Sequence, residues 1–238
     1  MRGSPMRWAS SMTTRPRATS AAAKALTVRQ GDAVSQWGLT IGGGWHDWIF
    51  ESFVRQNGLV FWTKDKVAFD APESVNALEF WQRMAAAKNM PAASTWESSA
   101  NDFMAGRTAM LYHSTGSMTN LLKSASFPVG VAPMPKGKQL GSTMGGGPIL
   151  IAKKQPDAHK RAAWTFARWM TNTQNQAQWC IDTGYLAARK SSWETPVLKA
   201  HVAKVPEART AFVTAEVAGA FLQVPGYHKV RAHLQSAI

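Results

Sequence analysis

At 238 residues, with 45% hydrophobic and 17% charged side chains, the chain has the composition of a packed protein of one large or two small domains, which excludes a disordered polymer. No apolar run approaches the roughly 18–20 residues of a membrane-spanning helix, and the single cysteine, Cys180, excludes an internal disulfide and a cysteine-rich metal site. Twenty-seven basic against 14 acidic residues give a net charge of +13, but the excess is scattered in pairs such as Lys153-Lys154 and Arg189-Lys190, without an RNP, zinc-knuckle or basic-zipper pattern. It therefore points to a solvated basic surface ahead of a nucleic-acid face.

In chain order, residues 1–36 read as a basic, partly disordered arm, rich in Arg and Ser and nearly free of acid, with no apolar core of a working secretory signal. Order is expected to begin near Trp37. "WGLTI" predicts a short strand, Gly42 to Gly44 a break, and "WHDWIFESFVRQNG" a helix with Trp45, Trp48, Ile49 and Phe53 on one face and Gly58 as its stop. "DAPESVNALEFWQRMAAAKN" predicts a helix capped by Asp70, with Pro72 in its first turn, Glu73 in the capping-box position and Val75, Leu78, Trp81, Met84 and Ala85 facing the core. A short helix in "SANDFMAGR", a strand in "TAMLYHS", a helix in "TGSMTNLLKSA" and strands in "PVGVAPMP" and "PILIAKK" follow, giving an α/β pattern with mainly parallel pairing. From Asp157 onward the pattern is helical: "DAHKRAAWTFARWM", "NTQNQAQWCIDTG" closed by Gly184, "TPVLKAHVAKV", "PEARTAFVTAEVA" and "PGYHKVRAHLQSAI".

Catalytic patterns are mostly absent, which makes an enzyme the weaker class. Ser114 is not in a G-x-S-x-G elbow, no H-E-x-x-H pair or G-x-x-x-x-G-K-[ST] loop exists, and His228 and His233 are five apart and off one helical face. Cys180, between Trp179 and Ile181, reads as a small buried hydrophobe. What remains are small polar and aromatic groups at element ends, the usual makings of noncovalent binding. "HSTGSM" sets Ser114, Thr115 and Ser117 at a strand-to-helix junction, as an anion site or a plain helix cap. "GGGW" offers Trp45 after a glycine turn, as a flat stacking face or as core. "DTGYLAAR" places Tyr185 after Gly184, its hydroxyl reaching a ligand or its ring covering the helix end. The glycines of "TMGGGPILIA" suit a phosphate cradle, a hinge or a turn alike.

Taken in order, "WGLTIGGGWHDW", "FMAGRTAMLYHSTGS", "PVGVAPMP", "MGGGPILIAKK", "AAWTFARWMTNTQNQAQW", "TGYLAAR" and "VPGYHKVRAHL" resemble the extracellular solute-binding proteins (family 1) of ABC importers, in the group that binds sn-glycerol-3-phosphate. The resemblance covers roughly residues 20 to 238. It implies a periplasmic-binding-protein-like (type II) two-lobe α/β fold, N-terminally truncated and helix-rich in its C-terminal half, with residues 37–130 as an α/β lobe and residues 131–238 as crossover strands and helices contributing to both lobes. It implies a periplasmic, non-catalytic protein without cofactor or metal, which binds sn-glycerol-3-phosphate or a glycerophosphodiester and delivers it to ABC permease subunits, with no nucleic-acid partner. Carried over by position, Trp45 stacks under the glycerol moiety, Ser114 and Tyr185 supply hydroxyls and Gly146 a backbone amide. Where the group has an arginine on the phosphate this chain has His228, with Arg231 one helical turn on as a substitute. A sugar- or oligosaccharide-binding protein of the same family, a basic nucleic-acid-binding module and, for its tryptophans, a carbohydrate-active enzyme are the alternatives. Residues 1–19 do not resemble the family, and the long segment that supplies most of its first lobe has no counterpart, which leaves "PILIAKK" short of pairing partners.

Overall fold

The structure, a computed structural model, describes residues 16–63 and 66–238, so the first 15 residues of the expected arm lie outside the described residues. The chain divides into two compact units: unit 1 runs to His113 and takes in Pro133–Thr143 and Val217–Ile238, while unit 2 comprises Ser114–Ala132 and Met144–Glu216.

Order in unit 1 begins before Trp37, contrary to expectation. Helix α1 (Pro16–Leu26) is alanine-rich and a strong helix former, and strands β1 (Val28–Gln30) and β2 (Ala33–Gln36) form an antiparallel hairpin. Strand β3 (Thr40–Ile41) then leads into α2 (His46–Gln56). Helix α3 (Pro72–Ala86) forms as its periodicity predicts, but Ala71, not Asp70, is the N-cap, no side chain caps the turn, and Val75 is exposed while Trp81 and Met84 are buried. The fixed φ of Pro72 at the start of the helix does the work expected of the cap. Helix α4 (Trp96–Met104) opens on a Thr95–Ser98 capping box, and β4 (Leu111–Tyr112) pairs in parallel with β3, Thr40 opposite Leu111 and Ile41 opposite Tyr112. Leu39, Ile49, Phe50, Val54, Phe61, Trp81 and Met84 form the core around them. Strands β5 (Ser142–Met144) and β6 (Ala218–Ala220) pair where the chain passes from one unit to the other, and α11 (Tyr227–Ala237) returns to α2.

Unit 2 is helical: α5 (Met118–Ser124), α6 (Asp157–Met170), α7 (Thr173–Thr183), α8 (Lys190–Trp193), α9 (Pro196–Lys204) and α10 (Arg209–Ala215). Its core is Ala177, Cys180, Ala187 and Leu198, with Ile181, Trp193 and Val202 packed against it. Burial pushes the Cys180 thiol up, which suits the expected inert hydrophobe. Helix α7 starts on the Asn172 side chain, which accepts from the Asn175 amide at 2.8 Å, and stops at Gly184 in the left-handed region at φ +89°, as its sequence predicts.

Two expected strands are absent. "PVGVAPMP" and "PILIAKK" carry no ladder; Ile149, Leu150 and Ile151 are exposed, Leu150 to 84%. An apolar run signals the readiness of a segment to be buried, but a strand exists only where a second strand supplies its hydrogen bonds. In α6 no residue is buried, and Trp164, Phe166 and Trp169 face solvent.

In α9, burial followed by the nearby Lys123 charge lowers the His201 pKa below its usual 6.5. The folded chain thus favours the neutral imidazole, and the unfolded chain binds the extra proton first. This contribution to stability is complete above pH 6.5 and is lost as pH falls through the folded value. Urea unfolding between pH 7.5 and 5 is expected to show that loss, and His201→Gln to flatten it.

Candidate functional site

In unit 1 the candidate site grows from the loop between β3 and α2. The Ser94 carbonyl occupies the space a Cβ on Gly43 would need, and Gly44 sits at φ +80°, so both positions call for glycine. The tight loop delivers Trp45 to the start of α2 with the residue 47% exposed. The Arg231 guanidinium of α11 lies over the indole, 4.3 Å from the ring centroid.

That guanidinium is already engaged. Arg231 Nε donates to Asp47 Oδ2 at 2.8 Å, while Nη2 donates to Asp47 Oδ1 at 3.4 Å and to the Gly44 carbonyl at 3.1 Å. Gln235, one turn further along α11, donates to Asp47 Oδ1 at 2.8 Å and to the same carbonyl at 2.9 Å. His46 accepts the Gly44 amide on Nδ1 at 3.2 Å and reaches the Gln235 carbonyl with Nε2 at 3.1 Å, an arrangement satisfied by the neutral tautomer protonated at Nε2. Asp47 is 0% exposed and lies in the first turn of α2, where the helix dipole favours a carboxylate. Its hydrogen bonds raise the Arg231 pKa, so the guanidinium remains charged and paired. Arg231, the substitute phosphate contact that the resemblance implied, thus also holds the indole and a buried carboxylate. His228, three residues earlier on α11, lies with its ring 5.3 Å from that of Tyr227.

Unit 2 carries the second group. Ser114 Oγ accepts the Gly116 amide at 3.1 Å and so caps the short 3-10 turn Thr115–Ser117, the simpler of its two readings. The Tyr185 ring lies where a Cβ on Gly116 would stand, which brings Ser114 and Tyr185 into one neighbourhood. Tyr185 is half-exposed and stacks on Trp179, ring centroids 6.4 Å apart and planes 12° from parallel. Gly146 is exposed, with open space around its Cβ position and no positive φ, so neither a tight turn nor a close approach requires glycine there.

Sequence reasoning missed Asp47, Gln235, His46 and Trp179. The i,i+4 pair Arg231 and Gln235 and the acidic first turn of α2 were the available signals; the bonds that join them span some 184 to 189 residues. Among the described residues no group of His, Cys, Asp and Glu is placed to hold a metal, and no helix is long and apolar enough to cross a membrane.

Residues 16–207 match the bacterial extracellular solute-binding proteins. The chain is 26% identical over 182 residues to the sn-glycerol-3-phosphate-binding periplasmic protein UgpB of Escherichia coli K12, an alignment covering 71% of this chain and 42% of that protein. The chain thus spans less than half the length of the curated relatives it matches. Among solved structures, UgpB from Mycobacterium tuberculosis in complex with glycerophosphocholine superposes with a TM-score of 0.68 at 23% identity, over 81% of this chain and 49% of that one. The maltose/maltodextrin-binding domain MalE from Bdellovibrio bacteriovorus, bound to maltotriose, gives a TM-score of 0.78 at 19% identity, over 98% and 60%. The two structures establish a shared fold: helix-rich α/β architecture of the periplasmic-binding-protein kind. With four-fifths of its length matched by the family and its fold shared with these binding proteins, the chain belongs to the bacterial extracellular solute-binding proteins.

Proposed function

We propose that the chain is the substrate-binding component of an ABC importer, outside the cytoplasmic membrane, taking a glycerophosphodiester or sn-glycerol-3-phosphate without catalysis and delivering it to permease subunits. The observation that carries this reading is the Trp45 platform: an indole held on one face by Arg231 and nearly half open to solvent. A held aromatic plate loses little entropy when a carbon skeleton stacks on it, which is how such a ring contributes affinity. The names of the curated relatives support glycerol-phosphate chemistry. On unit 2, Ser114 keeps a further lone pair beyond its cap, Tyr185 is half-exposed, and Gly146 is exposed with open space at its Cβ position. His228 is a polar partner in this scheme, three residues before Arg231 on α11.

One observation favours the sugar reading: the charge of Arg231 is already balanced by Asp47. Calorimetric titration of the chain with glycerophosphocholine, glycerol-3-phosphate and maltotriose separates the two. Micromolar binding of glycerophosphocholine is expected, weakened about tenfold or more in Trp45→Ala, the loss of one well-placed stacking contact of about 1.4 kcal/mol. Binding of maltotriose alone moves the protein to the sugar class, and no heat from any of the three overturns the proposal.

A further inference from the structure

The geometry of unit 1 allows a sharper statement about the chemistry of the solute, resting on the reading of Trp45 and Arg231 as solute contacts. We infer that Asp47 determines charge selectivity: by pairing with Arg231 it makes the Trp45 platform electrically neutral, and so selects zwitterionic or uncharged solutes over dianionic phosphate monoesters.

Asp47 is fully buried, while the Arg231 side chain keeps 22% of its surface exposed beside the half-open indole. Of this ion pair, only the Arg231 side chain keeps surface within reach of a solute at the indole. Nε and Nη2 serve Asp47 and the Gly44 carbonyl, and Nη1 has no hydrogen bond among the described residues. Nη1 thus offers two N–H donors of a cation whose charge is cancelled a few ångströms behind it. Donors without net charge suit a phosphodiester oxygen or a sugar hydroxyl. A phosphate monoester near its second charge at pH 7 loses its charge-assisted advantage there, while its desolvation cost stays.

The other polar neighbours do not restore the balance toward positive. His46 is satisfied as the neutral tautomer, Gln235 is uncharged, and the deeper Arg55 is paired with Glu51 at 2.7 Å. The tyrosine of the group, Tyr227, has its pKa raised by burial and stays protonated.

The test is a charge cycle read as the ratio of affinities for glycerol-3-phosphate and glycerophosphocholine, measured by calorimetry at 50 mM salt. In the wild type the zwitterion is expected to bind at least about fivefold more tightly. Asp47→Asn uncovers the Arg231 charge and is expected to move the ratio about tenfold toward glycerol-3-phosphate. Arg231→Gln leaves the Asp47 charge uncovered and is expected to move it about tenfold the other way. The double variant should return within about twofold of the wild type. Partial loss of folding weakens both solutes in parallel and leaves their ratio in place, so it does not imitate a change of sign. A wild type that prefers glycerol-3-phosphate, or single variants whose ratios stay within twofold of the wild type or move in the same direction, overturns the inference while the proposed function stands. A wild type that binds neither solute nor maltotriose overturns both.

Discussion

Glu51→Ala is expected to lower the unfolding free energy by about 3–5 kcal/mol, because it leaves a buried guanidinium without its counter-charge. Glu51 is 0% exposed, and every group facing its carboxylate is a donor. Oε1 accepts Arg55 Nε at 3.1 Å, Arg55 Nη2 at 2.7 Å and Trp62 Nε1 at 3.0 Å, and Oε2 accepts the Leu222 amide at 3.1 Å. Arg55 Nη2 donates onward to the Ala220 carbonyl of β6, and its guanidinium fills the space a side chain on Gly219 would need. The network thus pins the strand on which the chain re-enters unit 1. Glu79→Ala is the control: its ion pair with Arg83 is 3.3 Å long and lies on the surface, worth under about 0.5 kcal/mol. Equal midpoints for the two variants in urea would show that the Glu51 network contributes no more than a surface pair.

On the apolar face of the same helix, Phe53→Ala should cost about 3–5 kcal/mol as well, from lost transfer energy and the cavity left behind. Phe53 is buried and meets three rings: Phe80 stacked at 5.7 Å, Trp81 edge-on at 5.5 Å and Tyr112 edge-on at 5.4 Å. These pairs tie α2 to α3 and to β4, so truncation opens a cavity bounded by two helices and a strand, which relaxes poorly. Trp164→Ala on α6 removes a larger but exposed ring and should stay within about 0.5 kcal/mol of the wild type. A Phe53→Ala variant as stable as Trp164→Ala would contradict the packing described for unit 1.

The other residues of α2 show what its buried polar face holds. Ser52 Oγ and Thr143 exchange hydrogen bonds at 3.0 and 3.1 Å, Gln56 donates to the Gly141 carbonyl at 3.1 Å, and Gln139 returns a bond to the Arg55 carbonyl at 3.0 Å. Together with Glu51 and Arg55, they fix the segments on which the chain leaves and re-enters unit 1, while Asp47 of the same face fixes the Trp45 platform. One helix thus carries the candidate solute contact at its start and the crossover anchors along its length.

The helix periods of α2, α3 and α7, the stop at Gly184 and the membership in a solute-binding family were all present in local residue order, because each depends on neighbours within a few positions or on motifs read in series. Local order could not say that the polar half of α2 is buried against β5 and β6. It could not say that "PILIAKK" finds no partner strand, or that the aromatic residues of α6 stay in solvent. Nor could it pair Arg231 with Asp47 or lay its guanidinium over the Trp45 indole. Burial, strand pairing and charge compensation are properties of segments far apart in the chain, and only the folded arrangement decides which of them meet.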